Sequence, residues 1–580
     1  MNVDTFYFTI NLFFLFISIW LITVLRFKNH DSSVNWANSR SNNLNKILNA
    51  FYPVNTVSSF RVAVLFLFCI TVFTSLYKVG EVPYGLHVDE AGMAYDALSL
   101  VNYGVDRYLN PYPVYFINFG GGQSAMYAYL VALFIKIFGY SIICVRLPAI
   151  LLRLLTFVAG YYTIGRGYRN DPVKTLMFLF LFAICPYFIM QSRWGLDCNL
   201  LVGFLTLSVC VLMSAVHQKS ATLFLLSGVS FGLTLYTYAL SYIIIPVFLL
   251  LTLLYLFLVK KIKTSQVVML LIPIVLFSIP LIAMILVNKG IIAEYRGLFT
   301  IPVLPLFRSG EISLNNVFRN FYIIPTLLSF DNPNVFGRQL FYNATPYFGT
   351  VYYFSIPFFV IGLVSSVKAC FRSIKERIFD INTLFIFWFL SVLSCQFLIF
   401  EPNINKANAA FIPILFFIVE GIAIVTKHTQ AIAIGVVILY TLNFFLFFNY
   451  YFYHYNAASK NLIGFATDYI DTIRYSKYLN SEIIYVLNGV TIEPYIYVLL
   501  ENQVSPYCFL KNNIKTEHNG IRKTYKFLSE VEMKTESLNL FQVGKADTAF
   551  IVPNDTYWNQ WFKCMDYKTM PYGNISIFYK

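Results

Sequence analysis

Charge is scarce in this chain: 12% of its 580 residues are charged and 58% are hydrophobic. Soluble globular domains carry about a quarter of their residues as Asp, Glu, Lys and Arg, so the shortage excludes that class. Metal-ligand spacing is absent among the nine cysteines. Cys69, Cys144, Cys185, Cys210, Cys370 and Cys395 lie in or beside apolar runs, and Cys508 and Cys564 in the tail are the candidates for a disulfide. A nucleotide loop is missing too. No strand pattern leads into Gly120-Gly121-Gly122 and no Gly-Lys-Ser/Thr follows it, so it reads as a turn from an extended segment into a helix. No internal repeat is visible, which argues against transporter folds built from paired halves. The first apolar run lacks a basic leader and a small-residue cleavage site, and it reads as a retained span.

What fills the chain is apolar surface, with 59 Phe and 43 Tyr. Uncharged or nearly uncharged runs of roughly 17 to 25 residues recur, the length that crosses a hydrocarbon core about 30 Å thick. They fall near 6–25, 60–78, 142–165, 173–190, 198–216, 221–237, 239–258, 265–287, 349–369, 381–400, 407–426 and 430–452. The expected fold is therefore a polytopic all-α membrane protein of about twelve transmembrane helices. After them comes a less apolar tail. Short strand-like runs at Ile483 to Leu487, Tyr495 to Leu500, Thr548 to Val552 and Ile575 to Tyr579 alternate there with helical stretches, the pattern of a small α/β domain. The organisation is then 1–59 (first span and linker), 60–452 (membrane domain with long loops at 79–141 and 288–348) and 453–580 (tail domain).

The net charge of +14 raises the question of nucleic acid. The basic residues instead cluster in short loops, where they report orientation, and no nucleic-acid partner is expected. Placing the clusters around Arg26–Arg61, Arg166–Lys174, Lys260–Lys263 and Lys368–Arg377 in the cytoplasm puts both termini and the tail outside. Gln123 to Gly139, interrupted by Lys136, is too short an apolar run to span and reads as an interfacial helix. With that assignment two acidic motifs open on the outer surface. One is Tyr84-Gly85-Leu86-His87-Val88-Asp89-Glu90; the other is Ser192-Arg193-Trp194-Gly195-Leu196-Asp197.

Carboxylates at the ends of spans are suited to removing a proton from an acceptor hydroxyl, while cations hold a leaving phosphate. Asp89 is the candidate base, or else the cap of the helical run from Ala91 to Tyr103. Glu90 orients the acceptor or sits in the first turn of that helix. Asp96 shares the helical face of Asp89 and is expected to face solvent. Asp197 positions the acceptor or the sugar, or forms an i,i+4 ion pair with Arg193. Arg193, Arg146, Lys406 and His87 are candidates for binding substrate or phosphate, with snorkelling as the plain alternative for Arg146. His87 with Asp89 and Glu90 is a thin ligand set, so no metal and no cofactor is expected.

The order of these residues resembles the integral-membrane GT-C glycosyltransferases. An acidic pair follows an early span; then come an amphipathic segment ending in Phe138-Gly139, Val145-Arg146-Leu147-Pro148, and a run from Pro186 to Asp197 with Ser192-Arg193 inside it. The likeness is strongest to the protein mannosyltransferase and lipid A aminoarabinose transferase group, especially its bacterial cell-envelope members, and covers roughly residues 60–430. It implies a polyprenyl-phosphate-linked sugar as donor and a hydroxyl of a cell-wall or surface glycan as acceptor. It further implies transfer on the outer face with inversion, Asp89 as base, Arg193 and Lys406 near the phosphate, and no metal. Two departures stand out: Gly121-Gly122-Gln123-Ser124 replaces the Pro-Pro-Leu that often opens the interfacial helix, and there is an extra N-terminal span. The alternatives are a transporter or flippase of lipid-linked glycans, which calls for ionisable groups near the bilayer midplane, and a polymerase or ligase using pyrophosphate-linked donors.

Overall fold

The computed structural model describes residues 7, 9–11, 13–19, 57–167, 171–307, 310–330, 342–427, 430–459, 463–511, 514–518, 521–543 and 547–580. Among them, nine helices are long and apolar enough to cross a membrane. The apolar helices labelled here are α1 (Val57–Leu76), α4 (Ile142–Gly167), α5 (Pro172–Ile184), α7 (Asn199–Gln218), α8 (Ala221–Thr234), α9 (Ser241–Leu258), α10 (Thr264–Asn288), α11 (Ile356–Glu376), α12 (Ile381–Leu398), α13 (Phe411–Thr426) and α14 (Gln430–Asn449), of which α5 and α8 are shorter than those nine. Before α4 lie α2 (Val88–Tyr103), the hairpin β1 (Tyr115–Asn118) and β2 (Gly121–Ser124), and α3 (Ala125–Phe138); α6 (Pro186–Gln191) follows α5, and the two-residue strands β3 (Tyr295–Arg296) and β4 (Thr300–Ile301) follow α10. The protein is a multi-pass membrane protein.

Two of the expected spans are not uniform helices. The run 173–190 breaks at Cys185, whose extended backbone (ψ 128) precedes Pro186. Proline crowds the residue before it out of the helical region, so α5 stops and α6 starts afresh. The run 221–237 yields only the 14 residues of α8, about 21 Å of helix. Its continuation is a series of turns from Leu235 to Leu240. Of the expected first span, 6–25, residues 7, 9–11 and 13–19 are described and helical, and the others lie outside the described residues. Gln123 to Gly139 becomes the 14-residue α3, too short to cross.

Capping residues mark the helix starts. Asp171 accepts from Val173 and Lys174 N–H ahead of Pro172, Ser220 from Leu223, and Asp380 from Asn382. Glycine brings α11 and α13 together. A Cβ on Gly362 would overlap the Phe417 carbonyl, and one on Gly421 the Phe358 carbonyl, so only glycine permits this backbone approach.

The tail contains α15 (Thr467–Ser476), α16 (Pro494–Glu501), α17 (Glu530–Val543), α18 (Thr556–Lys563) and strands β5 (Ile483–Leu487), β6 (Ile514–His518), β7 (Ile521–Leu528), β8 (Thr548–Pro553), β9 (Lys568–Tyr572) and β10 (Ile575–Tyr579). The strands form one sheet in the order β6-β7-β5-β8-β10-β9, with β5 parallel to β7 and β8 and the other pairs antiparallel. Tyr495 to Leu500, expected as a strand, is helical: Pro494 opens α16 and Ile496 to Leu500 are buried. Short apolar runs do not distinguish strand from helix by period. Cys508 and Cys564, the candidates for a disulfide, are both free and exposed. The tail shares a core with α2, in which Tyr95, Tyr469, Tyr497 and Val498 are buried.

Candidate active site

The first acidic motif is a helix start. His87, not Asp89, is the N-cap of α2: its Nδ1 accepts from Asp89 N–H at 3.2 Å, and Glu90 reaches back to His87 N–H to complete a capping box. Because His87 Nδ1 accepts there, it carries no proton to donate to Asp89 Oδ2, 3.6 Å away. The capping alternative for Asp89 is thereby removed. Its side chain is 34% exposed and accepts from Asn118 Nδ2 at 3.0 Å.

Adjacent Glu90 has a different environment. It is fully buried and pairs with Arg146 (Nε to Oε1, 3.0 Å). Its Oε1 also accepts from Gly195 N–H at 2.8 Å, two residues before Asp197. Glu90 therefore ties α2 to α4 and to the second acidic motif, and no oxygen is left to orient an acceptor. The remaining donors of Arg146 meet the carbonyls of Val79, Pro83 and Gly85. The phosphate role expected of Arg146 is thus corrected to a structural one, because all five of its N–H groups are engaged.

Asn118 is aimed by a second buried pair. Asp96, expected in solvent, is buried and grips Arg107 through both carboxylate oxygens. Arg107 Nη2 in turn donates to Asn118 Oδ1 at 3.2 Å. With that oxygen taken, the amide nitrogen end must face Asp89. Gly92 makes room: a Cβ there would stand 2.7 Å from Asn118 Oδ1 and 2.8 Å from Arg107 Nη2. Asn118 ends β1, and the turn through Phe119 and Gly120, both at positive φ, returns the chain in β2. A strand does lead into the glycine run, contrary to the sequence reading, but it closes a hairpin.

The second motif is a turn between α6 and α7. Asp197 accepts from Ser124 N–H at 3.2 Å and Cys198 N–H at 2.7 Å. Burial, and next the charge of Asp89, push its pKa up to about 7, against those two backbone donors. Glu90 bonded to Gly195 N–H, and one hairpin that reaches Asp89 through Asn118 and Asp197 through Ser124 N–H, set both acidic corners at the same end of the helix bundle. No ion pair joins Asp197 to Arg193 among the described residues. Arg193 is fully buried and donates to the carbonyls of Val82, Thr74 and Ser75. It also lies over the Phe452 ring at 4.7 Å. Its Nε and Nη1 donors hold the end of α1 and the chain that follows it.

Asp197 lines a cavity of about 370 Å³. Tyr115, Tyr238, Tyr242, Met284 and Leu304 supply mostly apolar walls, and two lysines, Lys289 and Lys406, provide positive charge. Lys406 Nζ donates to the Phe400 carbonyl at 2.8 Å. Asp89 is not among the lining residues. Lys289, directly after α10, escaped the sequence reading although a cation closing a long apolar run was its signal; Asn118 and Arg107 carried no such signal. As metal ligands the first motif's residues fit poorly, since Glu90 is bound to Arg146 and His87 Nδ1 to Asp89 N–H. His87 instead meets the edges of Trp194 and Tyr342, with ring centroids 5.2 and 4.9 Å away.

A bundle of this topology, with acidic corners at one end and, beside them, an apolar-walled cavity whose lining includes Lys289, Lys406, Asp197 and Glu311, has known counterparts. The crystal structure of ArnT from Cupriavidus metallidurans in the apo state superposes with TM-score 0.52 at 11% identity, covering 90% of this chain and 98% of that one. The same protein bound to undecaprenyl phosphate gives TM-score 0.50 at 12% identity over the same shares. This chain has the fold of the GT-C membrane glycosyltransferases. The model of the dolichyl-phosphate-mannose-protein mannosyltransferase family matches residues 123–284, from β2 to α10. No curated protein matches the sequence.

Proposed function

We propose that this GT-C protein transfers a sugar from a polyprenyl-phosphate donor to a hydroxyl of a cell-wall or surface glycan, on the extracytoplasmic face. The observation that carries this reading is the contrast among three neighbouring carboxylates. Arg146 neutralises Glu90 and Arg107 neutralises Asp96, whereas Asp89 is about a third exposed and, among the described residues, its side chain accepts only from the neutral Asn118. A carboxylate so placed is available to a proton. In the proposed step the acceptor oxygen attacks the anomeric carbon from the face opposite the phosphate and its proton passes to Asp89. The bond from the anomeric carbon to the phosphate oxygen breaks, and polyprenyl phosphate leaves with the bonding pair; the configuration inverts. Lys289 and Lys406 balance the charge of that phosphate, and the apolar walls accept the start of the lipid chain. Asp197 positions the sugar or the acceptor. No step passes through a metal.

The test is reconstitution of the purified protein with candidate polyprenyl-phosphate sugars, comparing the wild type with Asp89→Asn. Loss of a general base lowers turnover by about a hundredfold to ten-thousandfold, with donor binding retained. Equal turnover in the variant removes Asp89 from the role of base.

A further inference from the structure

The segment 291–321, which follows α10, carries an apolar outer surface that the catalytic reading does not use. Eleven large apolar side chains are exposed between 291 and 321, against nine between 463 and 580, a stretch almost four times as long. Leu298 is 91% exposed, Phe318 86% and Leu314 78%. An aqueous loop seldom presents so much contiguous apolar surface.

Hydrogen bonds set the level at which this surface lies. Asn288, the last residue of α10, donates through Nδ2 to the Pro302 carbonyl and accepts from Leu304 N–H at 2.7 Å. Asn320 Nδ2 donates to the carbonyls of Gln396, Phe397 and Ile399, and Asn316 Nδ2 to that of Leu398, capping the last turn of α12. The segment is stapled across the ends of two membrane helices, where hydrocarbon gives way to headgroups. Arg296 and Arg319 are interspersed with the apolar residues, each beside a carboxylate, Glu294 and Glu401. Apolar side chains with cations among them at that depth match an interfacial membrane element.

We propose that residues 291–307 and 310–321 are seated in the lipid leaflet at the acidic end of the bundle, with Leu298, Leu314 and Phe318 among the acyl chains. The occupant of this face is lipid, because the surface continues the lipid-facing side of α10, where Leu276, Ile279 and Ile282 are also exposed. Leu304 of the same segment is buried and lines the cavity that holds Lys289 and Lys406, and the exposed Leu306 and Ile312 stand at its rim. The cavity thus borders the leaflet and not open water. The seating does not depend on the donor reading.

Leu298→Trp and Phe318→Trp, made singly in the full chain, test it in liposomes of phosphatidylcholine with or without brominated acyl chains. Val531→Trp, on α17 of the tail, is the reference. After subtraction of the wild-type emission, bromolipid removes about half of the added fluorescence at 298 and 318 and little at 531, while acrylamide acts in the opposite order. Strong acrylamide quenching at 298 and 318 without bromolipid quenching places the segment in water and overturns the proposal. Protection from both quenchers means that another protein chain covers the face, and this overturns it equally. All three positions are exposed, so the substitutions leave the core untouched.

Discussion

The two acidic corners end at the same place but are held by opposite means. The corner at 84–90 is fastened by charge: Glu90 and Arg146 are both fully buried, and Arg146 gathers three backbone carbonyls of the approaching chain. The corner at 192–198 places its carboxylate without any cation. Two backbone N–H groups hold Asp197, and burial, then the charge of Asp89, raise its pKa against them. Glu90 links the two through Gly195 N–H. An acid that fixes geometry is neutralised, whereas Asp89, the acid read here as reactive, is not.

Glu90→Gln strikes this difference hardest. It leaves Arg146 buried with a formal charge and no anion, a change that costs about 3–5 kcal/mol where a buried pair is broken. The thermal unfolding midpoint in detergent falls accordingly. Adding Arg146→Met recovers part of the loss, since the pair is coupled. Independent, additive losses would show that the first corner is not held by the ion pair.

Asn118→Leu has a smaller effect on a different quantity. A hydrogen bond to a charged group contributes about 1.5–3 kcal/mol, so turnover falls by about tenfold to a hundredfold. Gly92→Ala pushes Asn118 aside and reproduces part of the loss. Unchanged turnover in both variants would separate the hairpin from the reaction.

The smallest effect concerns Asp197 and pH. Its folded pKa stands near 7, above that of the unfolded chain, so between the ordinary carboxylate range and about 7 the native state holds one proton more. Stability is therefore greatest at low pH within that window and declines as pH rises through it. Asp197→Asn flattens this limb in thermal melts. Asp89→Asn moves it to lower pH, because the second cause of the shift is gone. A limb that persists in Asp197→Asn would assign the titration to another group.

Much of the architecture was legible, for physical reasons that particular residues show. Long uncharged runs such as 265–287 have one solution in lipid, a helix, and α10 follows that run closely. Strands β5, β8 and β10 were readable as short apolar runs between turns. α16 was not, because a buried helix and a buried strand share that pattern. The break at Cys185 was available in principle from Pro186. At the site, Asp89 and Asp197 were legible as charge beside apolar spans. The partners of Arg146, Arg193 and Asp96 were not: each meets groups far along the chain, and no spacing encodes them.

Composition and hydropathy by themselves determined that this chain enters a membrane as a helical bundle, since lipid leaves the backbone no other way to satisfy its hydrogen bonds. They also determined which few charges stand at the ends of spans. Only the tertiary structure decided what each charge does. Burial makes an unpaired ion costly, so Arg146 and Arg107 had to find Glu90 and Asp96, and Asp89 was left facing outward.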